Sequence, residues 1–317
     1  MDPPDGPAMP SSVGERGRES GKLPWVLESP TALMLFALAA GFLLGLTFDG
    51  MGLAAMAALA GLMTFSLAEV PLRGFGANLR YVPLSFALSF LLLPSLLLLA
   101  AFLTSPLLWE GWALLIIVPP AVSIIPFTAI LRGNVSVSVA SNALIYVASL
   151  AVTPLLALLL LGVGVSPVQL VLTVLVLILL PLALSRLVRG AALPGTEVRL
   201  LRNLSFAPLT FFIGAANRQV LLESPALALE ALGASVLVVG LAAGIVWGLS
   251  VRLDASLRIS LVLFSGYKNA GLAATIALAL LAPTAVVAPT MMIVFQIFWI
   301  PVLARLRSTL GPGPSVG

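Results

Sequence analysis

Residues 259–281 read ISLVLFSGYKNAGLAATIALALL, an apolar run with a single charge, Lys268, near its centre. Nine uncharged residues precede Lys268 from Ile259, and 36 follow it before Arg305. Placing a lysine at the centre of a membrane helix costs about 2.5–3.5 kcal/mol on insertion scales, so such a residue faces the protein interior or water and serves a function. The stretch therefore predicts a membrane span that is interrupted by small and polar residues at 265–271.

The composition of the whole chain excludes a soluble fold. Of its 317 residues, 60% are hydrophobic and only 9% are charged, and the mean hydropathy is +1.16. An ordinary soluble domain carries about 25% charged residues. Continuous apolar runs such as Leu158–Leu161 also contradict the alternating pattern of a transmembrane barrel. We therefore expect an all-α integral membrane protein.

Charged residues and turn signals divide residues 30–306 into ten predicted transmembrane helices. The predicted helices lie near 31–48, 51–70, 82–104, between Glu110 and Arg132, twice within 133–185, and near 203–221, 226–250, 259–281 and 284–304. The turn between the fifth and sixth is assigned to Gly162, Gly164, Ser166 and Pro167. Residues 1–29 are interpreted as a disordered cytoplasmic tail, and residues 307–317 as a second cytoplasmic tail.

Basic residues sort to one side of this ten-helix arrangement. One side receives only Arg218. The other receives Arg16, Arg18, Lys22, Arg73, Arg80, Arg132, Arg186, Arg189, Arg199, Arg202, Arg252, Arg258, Arg305 and Arg307. The positive-inside rule therefore predicts a multi-pass protein of the cell (inner) membrane with both termini in the cytoplasm.

Ten helices divide into two halves of five, residues 30–162 and 163–306. An odd number of helices per half gives the halves opposite orientations, which is typical of inverted-repeat transporters. The fourth helix of the first half contains Pro119, Pro120 and Pro126, and the fourth helix of the second half contains the interruption at 265–271. Matching interruptions in the two halves point to a binding site between them, whereas either one alone is equally compatible with a simple kink.

Three roles for Lys268 follow from the residues alone. It is a fixed cation in place of a metal ion, a counter-charge for an anionic substrate, or a proton carrier, since desolvation favours the neutral amine. The alternative is a lysine that extends to the membrane interface. No Asp or Glu is predicted at comparable depth; Glu69 lies nearest, but Pro71 and Arg73 place it at the cytoplasmic edge.

Polar residues on the fifth predicted helix form a second candidate group. Ser138 and Asn142 are spaced by four residues and therefore share one helix face. They either line a site or serve as contacts between helices. The complete candidate substrate site consists of Lys268, Asn269, Ser265, Gly266, Pro119, Pro120, Pro126, Thr128, Ser138 and Asn142.

The absence of cysteine and histidine from the sequence narrows the possible chemistry. It removes disulfides, thiolate or imidazole metal ligands, haem ligation and histidine proton relays. With no carboxylate pair predicted inside the bilayer, we expect neither an enzyme nor a resident cofactor or metal. The basic residues are scattered rather than clustered, so no nucleic-acid partner is expected.

Five short motifs resemble the bile acid:sodium symporter superfamily, which also contains arsenite efflux carriers. They are MTFSLA at 63–68, SFLLLP at 89–94, the stretch 119–134 that closes with LRGN, the helix of Ser138 that ends in VTP at 152–154, and GYKNAGLA at 266–273. The resemblance covers roughly residues 31–306. It implies ten helices in a panel domain and a core domain, with the fourth and ninth helices unwound where they cross, and alternating access to an organic anion.

The sequence departs from that family where its sodium-coupled members hold their ion. The resemblance implies an acid at 264 and a glutamine at 268, where this chain has Phe264 and Lys268. Three further sodium-site positions are changed, and carry Ser89, Ile124 and Ile125. Only Ser138 and Asn142 keep oxygen atoms at matching positions, and sodium needs several oxygen ligands. Arsenite carriers use a cysteine in the fourth helix, so that branch is disfavoured.

The expected function is secondary active transport of a small, carboxylate-like organic anion by alternating access, without sodium coupling and with Lys268 in place of the sodium ion. The expected partners are this substrate and the lipid bilayer, with protons as a potential coupling ion. One alternative is a cation/proton exchanger that uses Lys268 as its proton carrier. Others are a sodium-coupled organic anion symporter, as in the wider family, and a membrane scaffold or receptor that does not transport.

Overall fold

The computed structural model describes residues 30–68, 76–161, 167–191 and 193–308. These ranges fold into twelve helices and contain no strand apart from one isolated bridge. The helices are α1 Pro30–Leu44, α2 Met51–Ala68, α3 Asn78–Leu103, α4 Trp109–Ile117, α5 Ile124–Ile130, α6 Val135–Leu160, α7 Pro167–Gly190, α8 Gly195–Glu223, α9 Pro225–Leu249, α10 Ala255–Gly266, α11 Ala270–Leu280 and α12 Val287–Ser308.

Six of the twelve helices are long and apolar enough to cross a membrane: α2, α3, α6, α7, α9 and α12, the last together with the short 3₁₀ turn before it. Shorter apolar helices are α1, α4, α10 and α11. A chain with this many apolar helices is membrane-embedded. The expectation of an all-α membrane protein is confirmed at this level.

Twelve helices are present because two of the predicted ones are broken. The fourth predicted helix contains α4 and α5, and the ninth contains α10 and α11. Some boundaries were wrong: α1 ends at Leu44 rather than at 48, because the chain turns at Gly45, whose φ is +58°. Helix α8 begins at Gly195 rather than at 203, since arginines near a helix end do not interrupt a helix. The predicted tail at 1–29, residues 309–317, the turn at 162–166 and Glu69 to Arg73 lie outside the described residues.

The helices pack in two groups. Helices α1, α2, α7 and α8 pack on one another, and α3–α6 pack with α9–α12. Within the first group α1 and α8 touch backbone to backbone: a Cβ atom on Gly41 would lie 2.0 Å from the carbonyl oxygen of Phe211, and one on Gly214 would lie 2.2 Å from that of Leu38. The groups meet where α2 contacts α11, where α6 contacts α7, and where α8 contacts α9, α11 and α12. Both broken helix pairs belong to the second group, on its side towards the first.

Candidate functional site

The first break separates α4 from α5. Helix α4 ends at Ile117, and Pro119 and Pro120 follow at once. A proline has no N–H to donate and its ring clashes with the preceding turn, so the helix cannot continue through this pair. Helix α5 resumes at Ile124, and Pro126 lies in its first turn, where a missing N–H costs nothing.

The second break separates α10 from α11. Helix α10 ends at Gly266, Tyr267 is extended with φ −114° and ψ 97°, and α11 begins at Ala270. A Cβ atom on Gly266 would lie 2.9 Å from Cγ1 of Val239, so glycine permits the close packing of α10 against α9. Small and polar residues therefore lie at the break of the second half, where prolines lie at that of the first.

The two breaks cross and are joined through their backbones. Ala121 N donates to the carbonyl of Tyr267 at 3.0 Å, and Asn269 N donates to the carbonyl of Pro119 at 2.9 Å. These bonds make Pro120 and Lys268 an isolated antiparallel bridge. Each break thus satisfies backbone groups that the other one frees, as a chain inside a membrane must.

Lys268 lies at the centre of this crossing with only 1% of its surface exposed. Its Nζ donates to the carbonyl of Val118 at 2.7 Å and to that of Ile116 at 3.0 Å, both at the carboxyl end of α4. The carboxyl end of a helix carries partial negative charge and free carbonyls, so it is a favourable site for a cation. The alternative of a lysine that extends to the membrane interface is wrong, because the ammonium binds inside the protein.

The ring of Phe90 completes the surroundings of this ammonium. Nζ lies 4.4 Å from the centre of the ring. A desolvated cation over an aromatic face gains about 2 kcal/mol. Phe90 belongs to a π turn at Leu88–Leu92 inside α3, and such turns are frequent at functional sites. In the same turn, Ser89 Oγ donates to the carbonyl of Phe264 at 3.1 Å, near the carboxyl end of α10.

Asn269 and Asn142 hold the two breaks from the side. The Oδ1 atom of Asn269 accepts from Leu272 N at 3.0 Å and thereby caps the start of α11. Its Nδ2 atom donates to the hydroxyl of Tyr146 on α6 at 3.2 Å. Asn142, also on α6, donates from Nδ2 to the carbonyl of Ala121 at 3.1 Å. Helix α6 therefore supports both breaks.

A cavity of about 490 Å³ lies between the two groups of helices. Helices α1, α2 and α8 form one wall, and the two breaks, α5 and α12 form the other. The wall is apolar except for Ser66, Ser123, Arg202, Thr210, Tyr267, Lys268, Asn269 and Gln296. No Asp or Glu is among the described residues that line it. Its charged lining residues are therefore cationic.

The ten predicted site residues separate into two sets. Lys268, Asn269 and Pro126 line the cavity. The others lie around the crossing, outside the cavity lining, and bind protein groups instead. Thr128 Oγ1 and Ser138 Oγ are paired at 2.8 Å, and Ser265 Oγ donates to the carbonyl of Val262 at 2.8 Å. The remaining members of this second set are Gly266, Pro119, Pro120 and Asn142.

Sequence reasoning missed two contributors to the crossing, Phe90 and Gln296. Gln296 lies on the cavity wall, and its Nε2 atom is 3.4 Å from the carbonyl oxygens of both Gly266 and Lys268. Neither residue has a sequence signal of its own, because a phenylalanine and a glutamine in apolar helices are common. A π turn at 88–92 leaves no obvious mark on the sequence either.

No protein-family model matches the chain, and no curated protein matches it. Among the described residues, no group of three or more Asp, Glu, His or Cys side chains is placed to hold a metal ion. Function is therefore inferred from the geometry of the crossing and of the cavity beside it.

Proposed function

We propose that this protein is a secondary active transporter that moves a small organic anion across the membrane by alternating access, without sodium coupling. The observation that carries the proposal is the ammonium of Lys268, which is buried at the crossing and bound to the carbonyls of Ile116 and Val118. A built-in cation there removes the need for a metal ion.

The twelve helices are consistent with ten membrane spans. Six helices are long enough by themselves; α1 and α8 would add two, and the pairs α4/α5 and α10/α11 two more. The repeats at 30–162 and 163–306 would then each contribute their first two spans to the group α1, α2, α7 and α8. This group corresponds to the panel domain that the family resemblance implies, and the other group to the core domain.

The residues at the crossing do not fit a sodium ion. Sodium needs several oxygen ligands, preferably one of them charged. Buried apolar side chains stand at Phe264 and Ile124, and the Oγ atom of Ser138 is already paired with Thr128. The ammonium of Lys268 binds the carbonyls of Ile116 and Val118, and the buried Oδ1 atom of Asn142, which has no hydrogen-bond partner among the described residues, is a single oxygen rather than the several that sodium needs.

The hydrogen-bond partners of Lys268 and the ring beside it favour its ammonium form over the neutral amine, against the desolvation that favours the amine. Its two hydrogen-bond partners are carbonyl oxygens, which only accept, and hydrogen bonds to a charged donor are about twice as strong as neutral ones. The ring face of Phe90 also attracts a cation more than a neutral amine. These contacts oppose the cation/proton exchanger, in which Lys268 would have to lose its charge in every cycle.

The cavity favours an anion that has an apolar body. Its wall is largely apolar, its charged residues are Arg202 and Lys268, and α11 begins beside it at Ala270. The amino end of a helix carries partial positive charge, which favours an anion even though the N–H groups of Ala270 and Leu272 already bind the carbonyl of Lys268 and Oδ1 of Asn269. A carboxylate near Ala270 with its hydrocarbon part along α2 and α8 would use both properties of the wall.

The cavity extends from the crossing to Ile130, Val135 and Arg202. These residues lie at the arginine-rich ends of the helices, which the positive-inside rule assigns to the cytoplasm. The structure would then represent the state that is open to the cytoplasm, with both termini on that side of the inner membrane.

Purified protein in liposomes tests the proposal directly. Radiolabelled monocarboxylates of increasing length, from acetate to octanoate, and benzoate would be offered with a sodium gradient, with a proton gradient and with neither. We expect saturable uptake of at least one carboxylate that is unchanged when sodium is replaced by choline. Uptake that requires sodium would refute the assignment of Lys268, and no uptake above protein-free liposomes would refute the transporter.

A lysine-to-alanine substitution tests the built-in cation itself. Lys268→Ala leaves two buried carbonyls and a gap the size of the lysine side chain, so we expect lower stability that sodium partly restores and that choline does not. Arg258→Met is the matched control, because Arg258 is another buried cation and binds the carbonyl of Ser250 away from the crossing. Its stability should fall without any sodium-specific recovery.

A further inference from the structure

The carboxyl end of α10 needs donors just as that of α4 does. The last carbonyls of a helix have no partners within it. At α4 these carbonyls bind an ammonium, but Lys268 has its Nζ on α4 and gives α10 none. Three other carbonyls at the second break, those of Phe264, Gly266 and Lys268, face side chains of α3 and α12 instead.

Gln296 is the side chain that covers two of these carbonyls. Its Nε2 lies 3.4 Å from the oxygen of Gly266 and 3.4 Å from that of Lys268. The equal distances indicate that one amide is shared between two acceptors. Both distances are longer than that of an ideal hydrogen bond. The carbonyl of Lys268 also accepts from Ala270 N at 2.8 Å, so it depends on the amide less than that of Gly266 does.

A reciprocal bond holds Gln296 in register with the break. The hydroxyl of Tyr267 donates to the backbone carbonyl of Gln296 at 3.0 Å. The ring of Tyr267 in turn packs on Phe127 of α5, with 5.4 Å between the ring centres. Helix α12 is thus bound to the second break at the position of this one glutamine, and Tyr267 connects that break to α5.

We propose that Gln296 is a positioning residue that serves the carboxyl end of α10 as Lys268 serves that of α4: its amide is a second, uncharged substitute for a bound cation. The inference rests on the proposed function, in which the crossing works without sodium. Neutral donors suffice at α10 because the formal charge of Lys268 already lies beside both breaks. Gln296 also borders the cavity. The proposal can therefore be tested by comparing sodium with choline in solution.

The decisive variant is Gln296→Glu. A carboxylate at this position would oppose two carbonyl oxygens, whereas a protonated acid could still donate to one of them. The full-length variant would be purified in detergent at pH 5, and thermal unfolding would be followed from pH 5 to 9 in sodium chloride and in choline chloride at equal ionic strength. We expect its melting temperature in choline to fall as the pH rises, and sodium to raise it again by about 2–4 °C at pH 8.

Ile297→Glu is the matched control, because it places a carboxylate on the wall of the same cavity one residue further along α12. It should show no recovery that is specific to sodium. Gln296→Met tests the cap without introducing charge: it should melt below the wild type at every pH, with the same value in sodium and in choline. A melting temperature of Gln296→Met equal to that of the wild type would overturn the proposal.

Equal melting of Gln296→Glu in both salts at every pH would also overturn it, as would equal sodium recovery by Ile297→Glu. A Gln296→Glu protein that does not fold even at pH 5 would count against the proposal too, because the protonated acid retains a donor. These readouts need no transport substrate. Sodium-dependent melting of Gln296→Glu together with absent carboxylate uptake by the wild type would therefore leave this inference standing while the proposed function failed.

Discussion

Both breaks at the crossing leave carbonyls that need hydrogen-bond donors, but the donors differ between the two breaks. The break at 118–123 is made by prolines and contains no ionisable side chain, and its free carbonyls receive the ammonium of Lys268 from the other break. The break at 267–269 supplies that ammonium, yet the carbonyls around it are covered by neutral donors from Ser89 and Gln296.

At this crossing one formal charge lies beside both breaks, and neutral donors bind the remaining carbonyls. A second buried ammonium at α10 would be costly to desolvate and would repel the first. A hydroxyl and an amide satisfy carbonyls at a smaller desolvation cost. The four predictions below test this unequal division, from the largest expected effect to the smallest.

Removing the charge of Lys268 should lower the free energy of unfolding more than any of the other three substitutions. Lys268→Met keeps an unbranched side chain but leaves the carbonyls of Ile116 and Val118 buried without this donor. Each such group costs about 1–3 kcal/mol, so we expect a loss of about 2–4 kcal/mol in unfolding free energy, part of it offset because no ammonium has to be desolvated. Thermal unfolding in detergent measures the loss, and Lys268→Arg, which keeps the charge, should lose less. A Lys268→Met protein as stable as the wild type would contradict the central role of the ammonium.

Removing the side chain at the start of α11 should destabilise the protein more than removing the one at the start of α5. Asn269 caps α11 with its side chain and binds Tyr146, whereas Ser123 at the start of α5 makes no side-chain cap. We therefore expect Asn269→Ala to cost about 1–2 kcal/mol. Ser123→Ala should stay within about 0.5 kcal/mol of the wild type. Equal losses in the two variants, measured by thermal unfolding, would show that the caps do not distinguish the breaks.

Asn142 supports the first break alone. Since its Nδ2 donates to the carbonyl of Ala121, Asn142→Ala should cost about 1 kcal/mol. Ser149→Ala is the control on the same helix, because Ser149 bonds only the carbonyl of Tyr146 within α6. Its effect should be smaller. If Ser149→Ala proved the more harmful of the two in the same unfolding assay, Asn142 would not be holding the break.

The amino end of α10, which lies away from the break, contains a carboxylate whose contribution to stability should depend on pH. Asp254 caps α10 by accepting from Ser256 N at 2.9 Å and Leu257 N at 3.3 Å, and a bond from Ser256 Oγ is the main reason that its pKa is lowered. A lowered pKa contributes stability above the ordinary value of about 3.9, and this stability is lost as the pH falls through the lowered one.

Asp254→Ala should therefore cost about 0.5–1 kcal/mol at pH 7 and progressively less below pH 4. Melting curves of the wild type and of Asp254→Ala between pH 3 and 7 measure this convergence. A gap that stayed constant over the whole range would show that the carboxylate form does not matter. Helix α4 has no side-chain cap at its own start, and Ser105 caps the 3₁₀ turn that precedes it, so the first broken pair has no carboxylate cap that corresponds to Asp254.

Much of the site was open to prediction from the sequence because its signals are local. A lone lysine among apolar residues marks Lys268, and paired prolines mark the first break, whatever the rest of the chain does. The partners of Lys268 were not open to prediction, since a backbone carbonyl at Ile116 looks like any other. Phe90 is one of 15 phenylalanines, and only the π turn in α3 directs it at the ammonium.

The sequence by itself determined that this chain is an all-helical membrane protein with two interrupted apolar segments and a lysine buried at one of them, because composition, prolines and a central lysine act within one segment. Only the tertiary structure decided which carbonyls that charge binds, that Gln296 covers the opposite helix end, and that Thr128 and Ser138 pair with each other instead of lining the cavity. Those outcomes depend on segments 10 to 175 residues apart being brought within hydrogen-bond distance, and hydropathy patterns do not encode such pairings.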